Sequence, residues 1–176
     1  MNISAQEVLL SLFNPSDMVC FRVFDDRKGG TFSGAKLESA AGKYSAAESL
    51  LKSHNEQNRG IFFVVNYGGH GDESITRINA QFVEMDNLSF EEQQKAVDEF
   101  PLPPSMIIKT RKSLHVYWFV KNARVDRFRN IQKGLVKHFH GDPMCVNESR
   151  VMRLPGFNHC KKEPVPVECI LFHPER

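Results

Sequence analysis

"ITRINAQFVEMDNLSFEEQQKAVDEF", residues 75–100, reads as one strand followed directly by one helix. The first half is rich in apolar and β-forming residues, which predicts a long strand over residues 75–86. Ser89 stands three residues before Glu92. That spacing lets each side chain satisfy the other's free backbone amide at a helix start, so a helix is predicted over residues 89–100. Glu84 and Asp86 lie in the strand among Phe82, Val83, Met85 and Leu88. Residues two apart on a strand share a face, about 6–7 Å apart. Two carboxylates placed there repel each other, and burial makes this worse. A divalent cation removes both difficulties, and Mg²⁺ and Mn²⁺ prefer oxygen ligands. The plain alternative is that the strand simply ends here, with Asp86 and Asn87 opening a turn.

Working outward, residues 4–13 form a short helix capped by Ser4 and Glu7, and "MVCFRVF" (18–24) a strand. "DDRKGGTFSGAK" (25–36) is a loop or ragged hairpin. A helix follows over residues 45–54, capped by Ser45 and Glu48 and stopped by Gly60. "IFFVVN" (61–66) is a buried strand and "YGGHGDES" (67–74) a glycine-rich turn. Beyond the opening stretch, "PLPP" breaks the chain. "SMIIKT" (105–110) and "LHVYWFV" (114–120) are strands joined by a basic turn. Residues 125–140 are a helix with Phe128, Ile131, Leu135 and Phe139 on one face. Residues 141–164 are irregular with one helical turn, and "VECILF" (167–172) is a last strand.

From residue 61 the order is β, β, α, β, β, α, β. It predicts an α+β fold, with an antiparallel sheet core like that of RNA-recognition motifs, helices packed on one face, and an N-terminal α/β extension. A single domain over residues 1–176 is expected, with residues 1–59 as the N-terminal subregion and 60–176 as the core. The abrupt end at "FHPER" reads as one domain of a longer protein.

Composition bounds the possibilities. With 41% hydrophobic and 25% charged residues, this is an ordinary globular chain. No apolar run approaches the roughly 20 residues that cross a bilayer. The N-terminus lacks a basic segment and a cleavage site, so a cytoplasmic protein without membrane contact is expected. The four cysteines form no C-x-x-C pair; they are expected to be reduced structural thiols, with no zinc. Residues 1–100 hold 9 Lys+Arg against 15 Asp+Glu, and residues 101–176 hold 14 against 6. A basic half beside an acidic one suits a polyanionic partner.

Two later segments offer partners for the acids. "KTRKSLHVYWFV" supplies Lys109, Arg111, Ser113 and His115. The odd numbers would share a face in one unbroken strand. The turn at Arg111–Lys112 interrupts it, but Ser113 and His115 stay together. A hydroxyl, an imidazole and cations on one surface make a cradle for a triphosphate. The plain alternative is exposed strand residues. "GDPMCVNESRVMRLPGFNHCKK" brings a third acid, Asp142, with Arg150, Arg153 and the Lys161–Lys162 pair. Asp142 completes a possible three-carboxylate metal site.

Together, Glu84-Met-Asp86, Ser113-Leu-His115, and Asp142 followed by "RVMRLPGFNHCKK" resemble the archaeo-eukaryotic primase superfamily. The likeness is to the primase-polymerase domains of phage and plasmid replication proteins, and it runs from about Gly60 to Pro164. The first acid is Glu where most of that superfamily has Asp. The resemblance implies a nucleotidyltransferase that copies single-stranded DNA from NTPs or dNTPs. Glu84, Asp86 and Asp142 would hold two Mg²⁺ or Mn²⁺ ions, with His115 also catalytic. Lys109, Ser113, His115, Arg150 and Arg153 would bind the incoming nucleotide. Arg124, Arg127, Lys133, Lys161 and Lys162 are candidates for gripping DNA, and a helicase domain or protein is a candidate partner.

Two rival readings remain open at this level. His138-Phe139-His140 fits the histidine pair of rolling-circle nucleases, which also need a helical tyrosine such as Tyr44. A non-catalytic module binding single strands on the same sheet is the other.

Overall fold

The computed structural model describes residues 3–176. Helix α1 (Ala5–Leu12) starts with the predicted box: the Glu7 amide donates to Ser4 Oγ, and the Ser4 amide to Glu7. Strands β1 (Met18–Asp25) and β2 (Ala35–Ala40) pair antiparallel, so the last two residues of the ragged loop, Ala35 and Lys36, and the residues after it are a strand. A 3-10 turn (Ala41–Lys43) then runs straight into α2 (Ser45–Glu56). The expected Ser45–Glu48 box does not form, because Tyr44 is already helical and its carbonyl takes the first amides. Gly60 does not stop α2 either. Asn58 makes the left-handed turn at φ 62°, and Gly60 lies within β3 (Arg59–Val64).

The remaining elements are β4 (Ile78–Met85), α3 (Phe90–Glu99), β5 (Met106–Lys109), β6 (Leu114–Ala123) and α4 (Val125–Phe139), followed by β7 (Val151–Arg153), β8 (Asn158–His159), β9 (Val165–Pro166) and β10 (Glu168–Phe172). The Ser89–Glu92 box at α3 is present. Within residues 141–164 two short strands, β7 and β8, stand where a helical turn was expected. On α4, Phe128 and Phe139 are buried but Ile131 faces out; the buried position between them belongs to Gln132.

The strands form two four-stranded antiparallel sheets, ordered β2-β1-β3-β7 and β10-β5-β6-β4, plus the small β8–β9 hairpin. β3 pairs with β1 and β7, not with β4. One large core joins the two sheets through Phe21, Phe63, Phe82 and Tyr117, among others. A second core, with Val83, Leu114, Val116 and Phe139, packs the helices on the far face of the second sheet. The mixed α+β architecture with helix-covered antiparallel sheets matches the expected class.

Two buried glutamines fasten the second sheet. Gln132 of α4 accepts from the Phe82 amide at 3.0 Å and donates to the Phe82 and Cys145 carbonyls at 2.9 and 2.7 Å. It thereby satisfies backbone groups on β4, an edge strand that would otherwise be left unpaired. Gln93 of α3 donates to the Leu88 and Lys112 carbonyls and accepts from the Leu114 amide, pinning the β5–β6 turn.

Candidate active site

Glu84 on β4 and His115 on β6 are direct cross-strand partners, with Ile108 of β5 next in line. They share the inward face of Phe82 and Tyr117 and stand at its end. His115 is only 2% exposed, and its Nε2 lies 3.3 Å from Glu84 Oε1. Ser113 Oγ, also buried, donates to the same oxygen at 3.3 Å. Burial pushes the Glu84 carboxyl up. The His115 ring beside it, then Arg150 and the Ser113 hydroxyl, outweigh this and hold it at about 2.

Asp142 reaches the same place from the end of α4. His140 closes the helix in the left-handed conformation, at φ 50°. Gly141 then passes so close to β4 that a Cβ would meet Val83 Cγ2 at 2.5 Å and the Glu84 carbonyl at 2.8 Å. That approach lets the Asp142 amide donate to the Glu84 carbonyl at 2.8 Å. Oxygens of Glu84 and Asp142, with Cys145 Sγ, lie within 4.8 Å of one another. Asp86 stands outside that group, its carboxylate 2.7 Å from Lys112 Nζ. The Asp142 carboxylate is 3.0 Å from Arg150. The two converging carboxylates suit a hard divalent ion. The buried Cys145 thiol, pushed up by burial to about 12, suits one poorly.

A cavity of about 420 Å³ opens over these groups. Glu84, Asp86, Lys112 and His115 line it from the second sheet; Phe24 and Phe62 line it from the first. Arg150, Arg153, His159 and Lys161 close it. Arg153 is fixed by two bonds to Asp26, at 3.1 and 2.6 Å, and its guanidinium lies 4.6 Å from the Phe62 ring. Gly60 leaves room for this pair: a Cβ there would meet Asp26 Oδ1 at 2.5 Å and an Arg153 nitrogen at 2.8 Å. The desolvated His159 ring, beside Arg153, is held down at about 4.

Not every expected residue arrives here. The β5–β6 turn pairs Lys109 with Leu114 rather than with Ser113 or His115, so Lys109 points to the helix side, 4.6 Å from the Phe90 ring. Arg124 bonds Asp126, and Arg129 bonds Glu148 and Asp72. Arg127 and Lys133 are exposed on α4 but do not line the cavity; Lys162 is exposed next to Lys161. Phe24, Phe62, Asp26, Lys112 and His159 were not among the expected residues. Asp26 and Arg153 are 127 residues apart, and no local pattern announces such a pair.

The sequence model of the RepB DNA-primase N-terminal domain matches residues 70–169, a span containing Glu84, Ser113, His115 and Asp142. The chain belongs to this family. As a RepB primase N-terminal domain, it is also similar in structure to the AEP domain of the cyanophage S-2L primase-polymerase. The identity is 25% and the TM-score 0.80, over 96% of this chain and 91% of that one. A primase RepB′ structure matches at 17% identity and TM-score 0.66, over 95% of this chain and 55% of that one. The catalytic domain of primase RepB′ in complex with initiator DNA matches at 15% and 0.66, over 98% and 87%. No curated protein matches the sequence. The RepB-type domain is therefore an archaeo-eukaryotic primase-type replication domain. Among the described residues, no helix is long and apolar enough to cross a membrane.

The rolling-circle alternative fits this primase domain poorly. His138 packs on Phe100, with ring centres 5.1 Å apart, and His140 is a helix cap. Tyr44 is 3% exposed, and burial pushes its hydroxyl up, away from nucleophilic use.

Proposed function

We propose that this domain is a primase-polymerase catalytic unit that joins NTPs or dNTPs into a strand templated by single-stranded DNA. The observation that carries this is the meeting of Glu84, Ser113, His115 and Asp142 at one carboxylate, under a cavity rimmed by cations. Glu84 and Asp142, with Asp86 at the rim, would hold Mg²⁺ or Mn²⁺. When bound, such ions supply charge that activates the attacking hydroxyl and stabilises the pyrophosphate leaving group.

The chain's own groups do the rest. His115, which lines the cavity, and Ser113, bonded to the same Glu84 oxygen, would serve as donors for phosphate oxygens, and Gln93 fixes the turn that presents them. Arg150 and Arg153 add positive charge where a triphosphate's charge accumulates. Arg153 is held in place by Asp26 and Phe62 before any nucleotide arrives. Phe24 and Phe62, 5.5 Å apart edge to face, offer an apolar wall for a base. Lys161, Lys162, Arg127 and Lys133 add positive charge along which a DNA backbone could run. The RepB′ catalytic domain with initiator DNA supports DNA as the template partner. Residues 1–176 would act as one catalytic domain, alongside a helicase.

The test is incorporation of labelled nucleotides on primed and unprimed single-stranded templates with Mg²⁺ or Mn²⁺. Incorporation on a primed template, abolished by Asp86→Ala and by His115→Ala, is expected. No incorporation on either template, or full activity of Asp86→Ala, would overturn the assignment.

A further inference from the structure

A second cluster of metal-ligating side chains lies on the first sheet, outside the residues lining the catalytic cavity. Cys20 on β1 and Glu38 on β2 are direct cross-strand partners, so their side chains project from the same face. His70, from the glycine-rich turn between β3 and β4, folds back onto that pair. Its Nε2 lies 3.4 Å from Glu38 Oε1, and Cys20 Sγ lies 3.9 Å from the same oxygen. All three donor atoms fall within 4.8 Å of one another.

We propose that Cys20, Glu38 and His70 form a binding site for a borderline transition-metal ion of the Zn²⁺ class, which staples the glycine-rich turn to the first sheet. Three ligands around tetrahedral Zn²⁺, with bonds of about 2.0–2.3 Å, stand roughly 3.3–3.8 Å apart. The two separations to Glu38, 3.4 and 3.9 Å, already lie close to that range. The donor set of sulfur, imidazole nitrogen and carboxylate oxygen suits Zn²⁺ and Co²⁺ rather than Mg²⁺. Cys20 is 6% exposed while the Glu38 side chain is 52% exposed, so the thiol is shielded and the ion enters from the carboxylate side. On binding, the Cys20 thiol releases its proton to solvent. Thiolate and carboxylate then neutralise the dication, which is why Arg22 and Lys36 on the same face are tolerated.

A staple at His70 acts two residues from Asp72. Asp72 accepts from the Ser149 amide and hydroxyl and from Asn147, fixing the segment that leads into Arg150. This site does not depend on the nucleotidyl-transfer reading.

The experiment is titration of the metal-free domain with Co²⁺, followed by Zn²⁺ competition. It reads the thiolate-to-cobalt charge-transfer band and the melting temperature. Cys145 lies beside the catalytic acids, so Cys145→Ser serves as the control. The expected result is a band saturating at one equivalent in the parent and in Cys145→Ser. It is absent in Cys20→Ser and weakened about tenfold or more in affinity by His70→Ala. Zn²⁺ should displace Co²⁺ and raise the melting temperature of the parent, but not of Cys20→Ser. An undiminished band in Cys20→Ser, its loss in Cys145→Ser alone, or no band in the parent would overturn the proposal. Should Cys20→Ser fail to fold, retention of full Co²⁺ affinity by His70→Ala would overturn it as well.

Discussion

Glu84 Oε1 lies 3.3 Å from His115 Nε2, across one rung of the ladder between β4 and β6. That rung joins the acid-x-acid strand to the Ser-x-His strand, and each residue is fixed by the other's register. Glu84→Gln should therefore affect the site in two ways: it removes an anion from the proposed metal site and leaves the buried His115 without its charged partner. Primer extension should fall by about a hundredfold or more while the far-ultraviolet circular dichroism stays unchanged.

Gly141→Ala tests the approach of Asp142. The added methyl has no room against Val83 and the Glu84 carbonyl, so the bond from the Asp142 amide must lengthen. A displacement near 1 Å at a reacting centre costs about a hundredfold in rate. Extension assays at saturating Mn²⁺ should show that loss in kcat more than in KM.

Gln132→Leu leaves the Phe82 and Cys145 backbone groups without their partner. Each orphaned buried group costs about 1–3 kcal/mol. For a chain of this size each kcal/mol lowers Tm by about 2–4 °C. Calorimetry should find Gln132→Leu melting several degrees lower than the parent.

Asp72 supplies a pH test. Burial raises its carboxyl, but the Ser149 hydroxyl and amide, Asn147 and Arg129 bring it down to about 2 from an ordinary 3.8. A lowered carboxyl stabilises the fold fully above its unfolded value, and that contribution disappears as pH falls through the folded value. Parent and Asp72→Asn should differ in Tm above pH 4 and converge toward pH 2.

Much of this was legible in the chain. The Ser4–Glu7 and Ser89–Glu92 boxes marked two helices correctly, because capping is a local contact. The Ser45–Glu48 pattern failed because a preceding 3-10 turn, set by tertiary packing, had already begun the helix. Alternation placed Glu84 with Asp86 and Ser113 with His115, strand by strand, but their joining across β4 and β6 was implied only by the family resemblance. Lys109 was not, because the turn after it reversed which face it occupied. Phe24 and Phe62 come from the other sheet, and only long-range pairing brings them to the cavity and Asp26, just past β1, to Arg153.

The most direct measurement is single-nucleotide extension of a primed single-stranded template at varied Mn²⁺, comparing the parent with Glu84→Ala, Asp142→Ala and Lys109→Ala. A carboxylate-centred site on the inward face predicts near-complete loss for the first two and parent-like activity for Lys109→Ala, which lies on the opposite face. Activity surviving Glu84→Ala and Asp142→Ala, with loss in Lys109→Ala, would contradict it.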